Sequence, residues 1–226
     1  MSANNSLSGA DVLVQVLVEK SVKKIFAITG AGNLAIIDAI AREDSIELIY
    51  AHHEQAAVME AQGYSRVTGD IGVALVTTGG GTSNVTTGVL SAHLDSIPLV
   101  LISGNESSFH CENPYNLRAY GVQGFNSTET LKPITKQAIR IKAVSEVALT
   151  IRDAINLALE DRMGPVQIDF PMDLQRKLAG KQSNSITKKK VQIKVNEESI
   201  SDLVADLKSS NSPLIYFGNG IRNKKS

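Results

Sequence analysis

Along the first 170 residues, short apolar runs at 24–28, 46–50, 71–77, 98–103, 137–141 and 165–169 alternate with longer stretches whose apolar positions recur at helical spacing. Strands joined through helix-length segments pair in parallel, and right-handed crossovers lay the helices on both faces of one sheet. The expected fold class is α/β, a doubly wound, mostly parallel six-stranded sheet with helices on both faces. Ser8 is placed to cap the first helix, in which Val12, Leu13, Val16 and Leu17 recur and which ends near Ser21. Further helices are expected at 33–42, from Glu54 to about Arg66, at 83–94, 128–133 and 145–162. The stretch 104–126, rich in Asn, Ser and Gly, is too long for a mere connection and reads as a functional loop.

The chain has 226 residues, room for one ordinary domain and part of another. From about Leu174 to Lys194 the composition turns to Lys, Gln, Ser, Asn and Thr, including Lys188-Lys189-Lys190, which reads as a solvated linker. A helix-like stretch at 197–209 and a strand-like one at 213–217 with Gly218-Asn219-Gly220 behind it follow, together too short to bury a core. The expected division is a first domain at 1–175, a linker at 176–195 and the truncated start of a second α/β domain at 196–226.

Charge excludes some functions. Lys plus Arg equal Asp plus Glu at 23 each, with no basic stripe before the last quarter, so nucleic acid is not expected as a partner. Met1 to Asp11 is polar without a basic start, and no apolar run nears the roughly 18 residues of a membrane span. A soluble, cytoplasmic protein with no membrane partner is expected. Cys111 is alone, which excludes a disulfide framework or cysteine metal cage and reads as an exposed loop thiol. His52 and His53 are adjacent and share no helix face, so they read as surface or hydrogen-bonded histidines; no metal ligands are assigned.

Four loops, at Thr29, Ala51, Thr78 and Gly104, fall at the carboxyl ends of strands, where open parallel sheets bind ligands. One of them leads into a carboxylate, Glu54, at the start of a helical pattern. Gly30-Ala31-Gly32-Asn33-Leu34-Ala35 fits the G-x-G-x-x-A dinucleotide fingerprint, but the acid expected at the tip of the next strand is replaced by Tyr50-Ala51-His52-His53. Gly79-Gly80-Gly81 lacks the Lys-Ser/Thr of a phosphate loop. It reads either as a turn requiring positive φ or as a loop that lets a flat ligand lie against the backbone, with Thr78, Ser83 and Asn84 as polar contacts.

Taken in order, Ile25-Phe26-Ala27-Ile28-Thr29-Gly30, His53-Glu54-Gln55-Ala56-Ala57, the segment Ala61 to Gly69, Thr77-Thr78-Gly79-Gly80-Gly81-Thr82-Ser83-Asn84, Asp95-Ser96-Ile97-Pro98, Lys132-Pro133-Ile134-Thr135-Lys136 and Gly164 to Gln175 resemble the N-terminal pyrimidine-binding domain of thiamine diphosphate enzymes. The branch they resemble is the acetolactate synthase-like one. The likeness runs from about Ser8 to Gln175, and 212–221 is similar to the start of that family's middle domain.

The resemblance implies that Glu54 is the catalytic glutamate, contacting ring nitrogen N1′ of the cofactor's aminopyrimidine. It implies that Thr29, Gly30 and Ala31 form one cofactor loop and Thr78, Gly79 and Asn84 another, with Thr29 and Gly80 where prolines are common. Gln123 is similar to a glutamine near the substrate, although Val122 and Gly124 depart from the aromatic and acidic residues that often flank it. The implied activity is decarboxylation of an α-keto acid, pyruvate first, and transfer of the acyl unit to a carbonyl acceptor; the departures beside Gln123 leave a ketone or sugar ketone as acceptor equally open. Thiamine diphosphate is the implied cofactor. Mg2+ is implied through a Gly-Asp-Gly motif that does not occur in these 226 residues, and FAD is left open. The implied partner is a diphosphate-binding domain of the same or another subunit in a homodimer or larger assembly, so the chain alone is expected to be inactive. Two alternatives stand beside this one: a non-catalytic or split-subunit interaction module of the same fold, and a dinucleotide-binding domain.

Overall fold

The computed structural model describes residues 7–160, 162–180 and 196–218. Six strands form one sheet: β1 (Lys24–Ala27), β2 (Glu47–Tyr50), β3 (Gly72–Val76), β4 (Leu99–Asn105), β5 (Gln137–Arg140) and β6 (Pro165–Pro171). Their order is β2-β1-β3-β4-β6-β5, and every neighbouring pair is parallel.

The two-residue period of a strand, with both faces covered, explains why β3 and the first four residues of β4 are apolar and wholly buried. Ile25, Val73, Leu75, Val100 and Ile102 enter a core with α1 (Gly9–Glu19), α2 (Leu34–Ala41) and α8 (Val147–Leu159). Phe26, Ala74, Val76, Leu99 and Leu101 enter a second core with α3 (Glu54–Thr68) and α5 (Thr86–Leu94). The strands β1, β3 and β4 thus feed both cores, one on each face, whereas β6 sends Val166, Ile168 and Phe170 into the first. α1 starts in a reciprocal cap: the Asp11 amide donates to Ser8 Oγ at 3.2 Å and the Ser8 amide donates to Asp11 Oδ2 at 2.8 Å.

Several elements differ from the sequence reading. The helix expected at 83–94 is preceded by a separate turn, α4 (Gly80–Ser83), because Thr82 Oγ1 donates to the Thr77 carbonyl at 2.6 Å and curls the chain immediately after the strand. The segment read as a loop from 104 is strand for two more residues, since Gly104 and Asn105 pair with Phe170 and Pro171. It then forms α6 (Ser108–Glu112), on which Cys111 is buried at 5% exposure rather than exposed on a loop. α7 (Ser127–Leu131) continues into a 3-10 turn at Lys132–Ile134. After β6 comes α9 (Met172–Arg176), which buries Leu174 and Gln175.

Past Gln175, where a linker was expected, the chain is still tied to the N-terminus. The Gly9 amide donates to the Lys177 carbonyl at 3.0 Å and the Ala179 amide to the Leu7 carbonyl at 2.6 Å. The remainder of that stretch, 181–195 with Lys188 to Lys190, lies outside the described residues, as do Asn219 and Gly220. The contacts divide the chain into units 1–184 and 185–226. In the second unit α10 (Glu197–Ser209) is formed, but the strand expected at 213–217 is not. Leu214, Ile215, Tyr216 and Phe217 are exposed there, and a lone strand has nothing to complete its hydrogen bonds. Among the described residues no helix is long and apolar enough to cross a membrane.

Candidate functional site

The strand order reverses between β1 and β3: the chain leaves β1 for β2 on one side and returns to β3 on the other. Their carboxyl ends part into a crevice, the usual ligand position in such sheets. Glu54 is the first residue of α3, half-buried, where the helix dipole favours a carboxylate. His53 caps that helix, its Nδ1 accepting the Gln55 amide at 3.1 Å.

Asn84, at the end of α4, donates from Nδ2 to Glu54 Oε2 at 3.0 Å. On the other side of the carboxylate stands Gly81, where a Cβ would lie 3.2 Å from Glu54 Oε1 and 2.8 Å from Thr77 Cγ2. The carboxylate therefore rests against main chain, and Oε1 takes no hydrogen bond among the described residues.

Thr77 knits the two loops together. Its Oγ1 accepts the Gly32 amide at 3.2 Å, and a Cβ at Gly30 would lie 2.5 Å from the same oxygen. Thr78 does the same at Gly32, filling the space a Cβ would need. The dinucleotide reading fails on this point: the close approach that Gly30 and Gly32 allow is used up by Thr77 and Thr78, leaving none for a pyrophosphate. Thr29 and Ala31 are exposed at the lip of the same loop.

Three residues that the sequence reading did not assign to the site fix this loop. Asn33, fully buried, accepts the Gly30 amide at 2.9 Å and donates to the Ile28 carbonyl at 2.9 Å. Gln175 donates from Nε2 to the carbonyls of Gly32 and Phe170, each at 2.7 Å. Gly104 lies so close to the Gly32 carbonyl that a side chain at 104 would collide with it. Asn33 was the legible one, since an Asn beside a glycine turn commonly bonds its own backbone.

Gly79 has φ +67°, the positive value expected for this turn. Gln123 lies across it: a Cβ at Gly79 would be 2.6 Å from the Gln123 carbonyl oxygen, and Gln123 Nε2 reaches the Thr78 carbonyl at 3.4 Å. Glu54, Gly30, Thr78, Gly79, Asn84 and Gln123 thus form one connected group, with Thr29 and Ala31 on its rim.

A second polar cluster braces the ends of β4, β5 and β6. Asp169, fully buried, accepts from Arg140 Nε at 2.6 Å and from Asn105 Nδ2 at 3.0 Å to each oxygen. Burial lifts its carboxyl above the ordinary range against the pull of Arg140, Asn105 and Ser127. Arg140 also donates to the Cys111 carbonyl at 2.8 Å.

Among the described residues no three His, Cys, Asp or Glu side chains gather as a metal site. The crevice fits a different guest. It offers a half-buried carboxylate with one oxygen held by Asn84 and the other, among the described residues, without a partner. An aminopyrimidine, with a ring nitrogen able to share a proton with a carboxyl group, suits that donor set.

The comparisons agree. Residues 7–123 match the family described as thiamine pyrophosphate enzyme, N-terminal TPP binding domain. The chain is 34% identical over 230 residues to the acetolactate synthase large subunit of Buchnera aphidicola subsp. Schizaphis graminum, covering 97% of this chain and 38% of that protein. It is 33% identical over 217 residues to the acetolactate synthase large subunit of Lactococcus lactis, covering 95% and 37%. To the Escherichia coli acetolactate synthase isozyme 3 large subunit it is 35% identical over 171 residues, covering 74% and 28%. The chain therefore spans little more than a third of the length of these curated relatives at most. With its parallel six-stranded sheet, its glutamate at the β1–β3 crevice and a family match over residues 7–123, the chain belongs to the thiamine pyrophosphate enzymes, through their N-terminal TPP binding domain.

Proposed function

We propose that this chain supplies the pyrimidine side of the active site in a thiamine diphosphate-dependent carboligase that decarboxylates an α-keto acid, pyruvate first, and passes the acyl unit to a carbonyl acceptor. The observation that carries the reading is Glu54, seated at the start of α3 with Oε2 held by Asn84 and Oε1 without a hydrogen bond among the described residues. The relatives, named as acetolactate synthase subunits, support the choice of substrate class.

Thiamine diphosphate, when bound, supplies a nucleophilic carbon and an electron sink for the departing carbon dioxide. The chain's own part is to hold it and to manage one proton. Glu54 Oε1 is the atom that shares a proton with the pyrimidine ring nitrogen, and Asn84 fixes the carboxylate so that this oxygen faces inward. The main chain of Thr29, Gly30 and Ala31 and that of Thr78 and Gly79 form the two walls beside the ring. Gln123, resting on Gly79, presents an amide donor where a keto acid's oxygens would lie.

The diphosphate and its Mg2+ fall to a separate domain carrying Gly-Asp-Gly, a motif absent from these 226 residues. The 226-residue chain alone is therefore inactive, and the working site forms between this domain and a diphosphate-binding domain in a homodimer or larger assembly. The test is turnover of pyruvate by this chain assembled with a diphosphate-binding domain, thiamine diphosphate and Mg2+, against the same assembly carrying Glu54→Gln. Loss of proton exchange at that position should cut turnover by about 10²- to 10⁴-fold with the fold intact. Equal turnover in the two proteins would sink the assignment.

A further inference from the structure

We propose that Glu106 is a positioning residue, whose carboxylate clamps the loop carrying Gln123 onto the Gly79 turn and so sets one wall of the site. The proposal rests on the reading of the Glu54 crevice as the cofactor and keto-acid site. Glu106 follows the last residue of β4 and is only 7% exposed, which a carboxylate tolerates only when its oxygens are satisfied. Oε1 accepts two backbone amides, Val122 at 3.1 Å and Gln123 at 3.2 Å. Such charge-assisted bonds are roughly twice as strong as neutral ones.

A second observation points the same way. Gly121 has φ +60°, and the space a side chain would occupy there is filled by the Glu106 carboxyl group. The glycine is thus required twice, for the turn and for the clamp. The Gly124 amide closes the turn on the Tyr120 carbonyl at 2.9 Å. Val122 is 91% exposed and adds little burial to hold the loop.

The consequence reaches the site. The clamped turn sets the Gln123 backbone on Gly79, with its carbonyl oxygen and Cβ 2.6 and 3.0 Å from where a Cβ at 79 would lie. Gly79 leads into the Gly80–Ser83 turn, in which Gly81 abuts Glu54. The Gln123 side chain keeps only a 3.4 Å bond to the Thr78 carbonyl, long enough for an incoming carboxylate or keto oxygen to displace it. Glu106 touches no ligand in this arrangement; it acts through Gln123, and the ligand it serves is a small oxo acid that takes an amide donor.

The test uses the chain assembled with a diphosphate-binding domain, as wild type, Glu106→Ala, Glu106→Gln, Gln123→Ala and the double variant. Amide hydrogen exchange without cofactor should be about tenfold faster or more at Val122 and Gln123 in Glu106→Ala. Glu106→Gln, which keeps the volume and one acceptor oxygen, should fall between the two, and it carries the comparison if the alanine variant does not fold. In kcat/KM for the keto acid, Glu106→Ala and Gln123→Ala should lose similar factors and the double variant no more than either, because both act through one contact. Unchanged exchange, or losses that multiply in the double variant, would overturn the proposal. Titration with thiamine diphosphate separates the two readings: absence of binding removes the crevice assignment, while the exchange comparison still decides whether the clamp exists.

Discussion

Asn84 Nδ2 lies 3.0 Å from Glu54 Oε2, although one residue ends the turn after β3 and the other begins the helix after β2. The bond fixes which carboxylate oxygen faces the crevice. Asn84→Ala should leave the fold intact and lower turnover in the assembly with a diphosphate-binding domain roughly fivefold, the effect of about 1 kcal/mol from one hydrogen bond at a partly exposed pair. Steady-state kinetics beside a thermal melt checks this. A drop in melting temperature that accounted for the whole loss would assign Asn84 a merely structural role.

Gly79 combines φ +67° and ψ −122° with a neighbour, Gln123, in the space of its missing side chain. Gly79→Ala should cost about 1 to 3 kcal/mol from backbone strain alone, and the shifted Gln123 loop should add to it. Urea denaturation of the chain measures the sum. A variant as stable as the parent would mean that the turn relaxes freely.

The cap of α1 ties stability to acid. Burial raises the Asp11 carboxyl's pKa, but hydrogen bonds from the Ser8 hydroxyl and amide and the Arg42 guanidinium outweigh it, so the native value lies below the ordinary one. A depressed native pKa contributes stability that is fully present above the unfolded value, near pH 4, and that disappears as pH falls through the native value. Asp11→Asn should flatten the acid limb of a stability-versus-pH curve. Ser8→Ala should cost about 1 kcal/mol at neutral pH.

Cys111 should be chemically quiet. Burial, with Asp169 adding to it against Arg140, pushes its thiol up to about 12, and its sulfur donates to the Glu106 carbonyl at 3.3 Å. Thiolates, not thiols, react with alkylating agents. Iodoacetamide at pH 8 should label the native chain far more slowly than the denatured one; equal rates would show that α6 opens readily.

How much of this was legible depended on where each residue's partners lie. The central strands could be read because both faces of the sheet are buried there, which leaves runs such as 71–76 and 98–102 without a polar side chain. The end of β4 could not, since Gly104 and Asn105 belong to residue types that strands disfavour and are held there only by pairing with β6. Glu54 stood out through the motifs around it, not through any spacing of its own. Glu106, Gln175 and the Arg140–Asp169 pair left no local trace because their partners are 16, 143 and 29 residues away. Cys111 was misread for a related reason: a segment rich in Asn and Ser suggests surface, and only the packed sheet end shows that α6 turns this residue inward. At 213–217 an apolar run suggested a strand, but composition cannot supply the neighbouring strand that would pair with it.

The contact between Gly104 and the Gly32 carbonyl means that the loop beside the crevice is seated backbone against backbone. Such a surface carries the same chemistry whatever neighbouring side chains become, so mutation cannot easily rewrite it. The variable part is the exposed rim, with Thr29, Ala31, Val122 and Gln123. A lineage exploring new ligands could therefore change the rim one residue at a time while the seat beneath it stayed as it was.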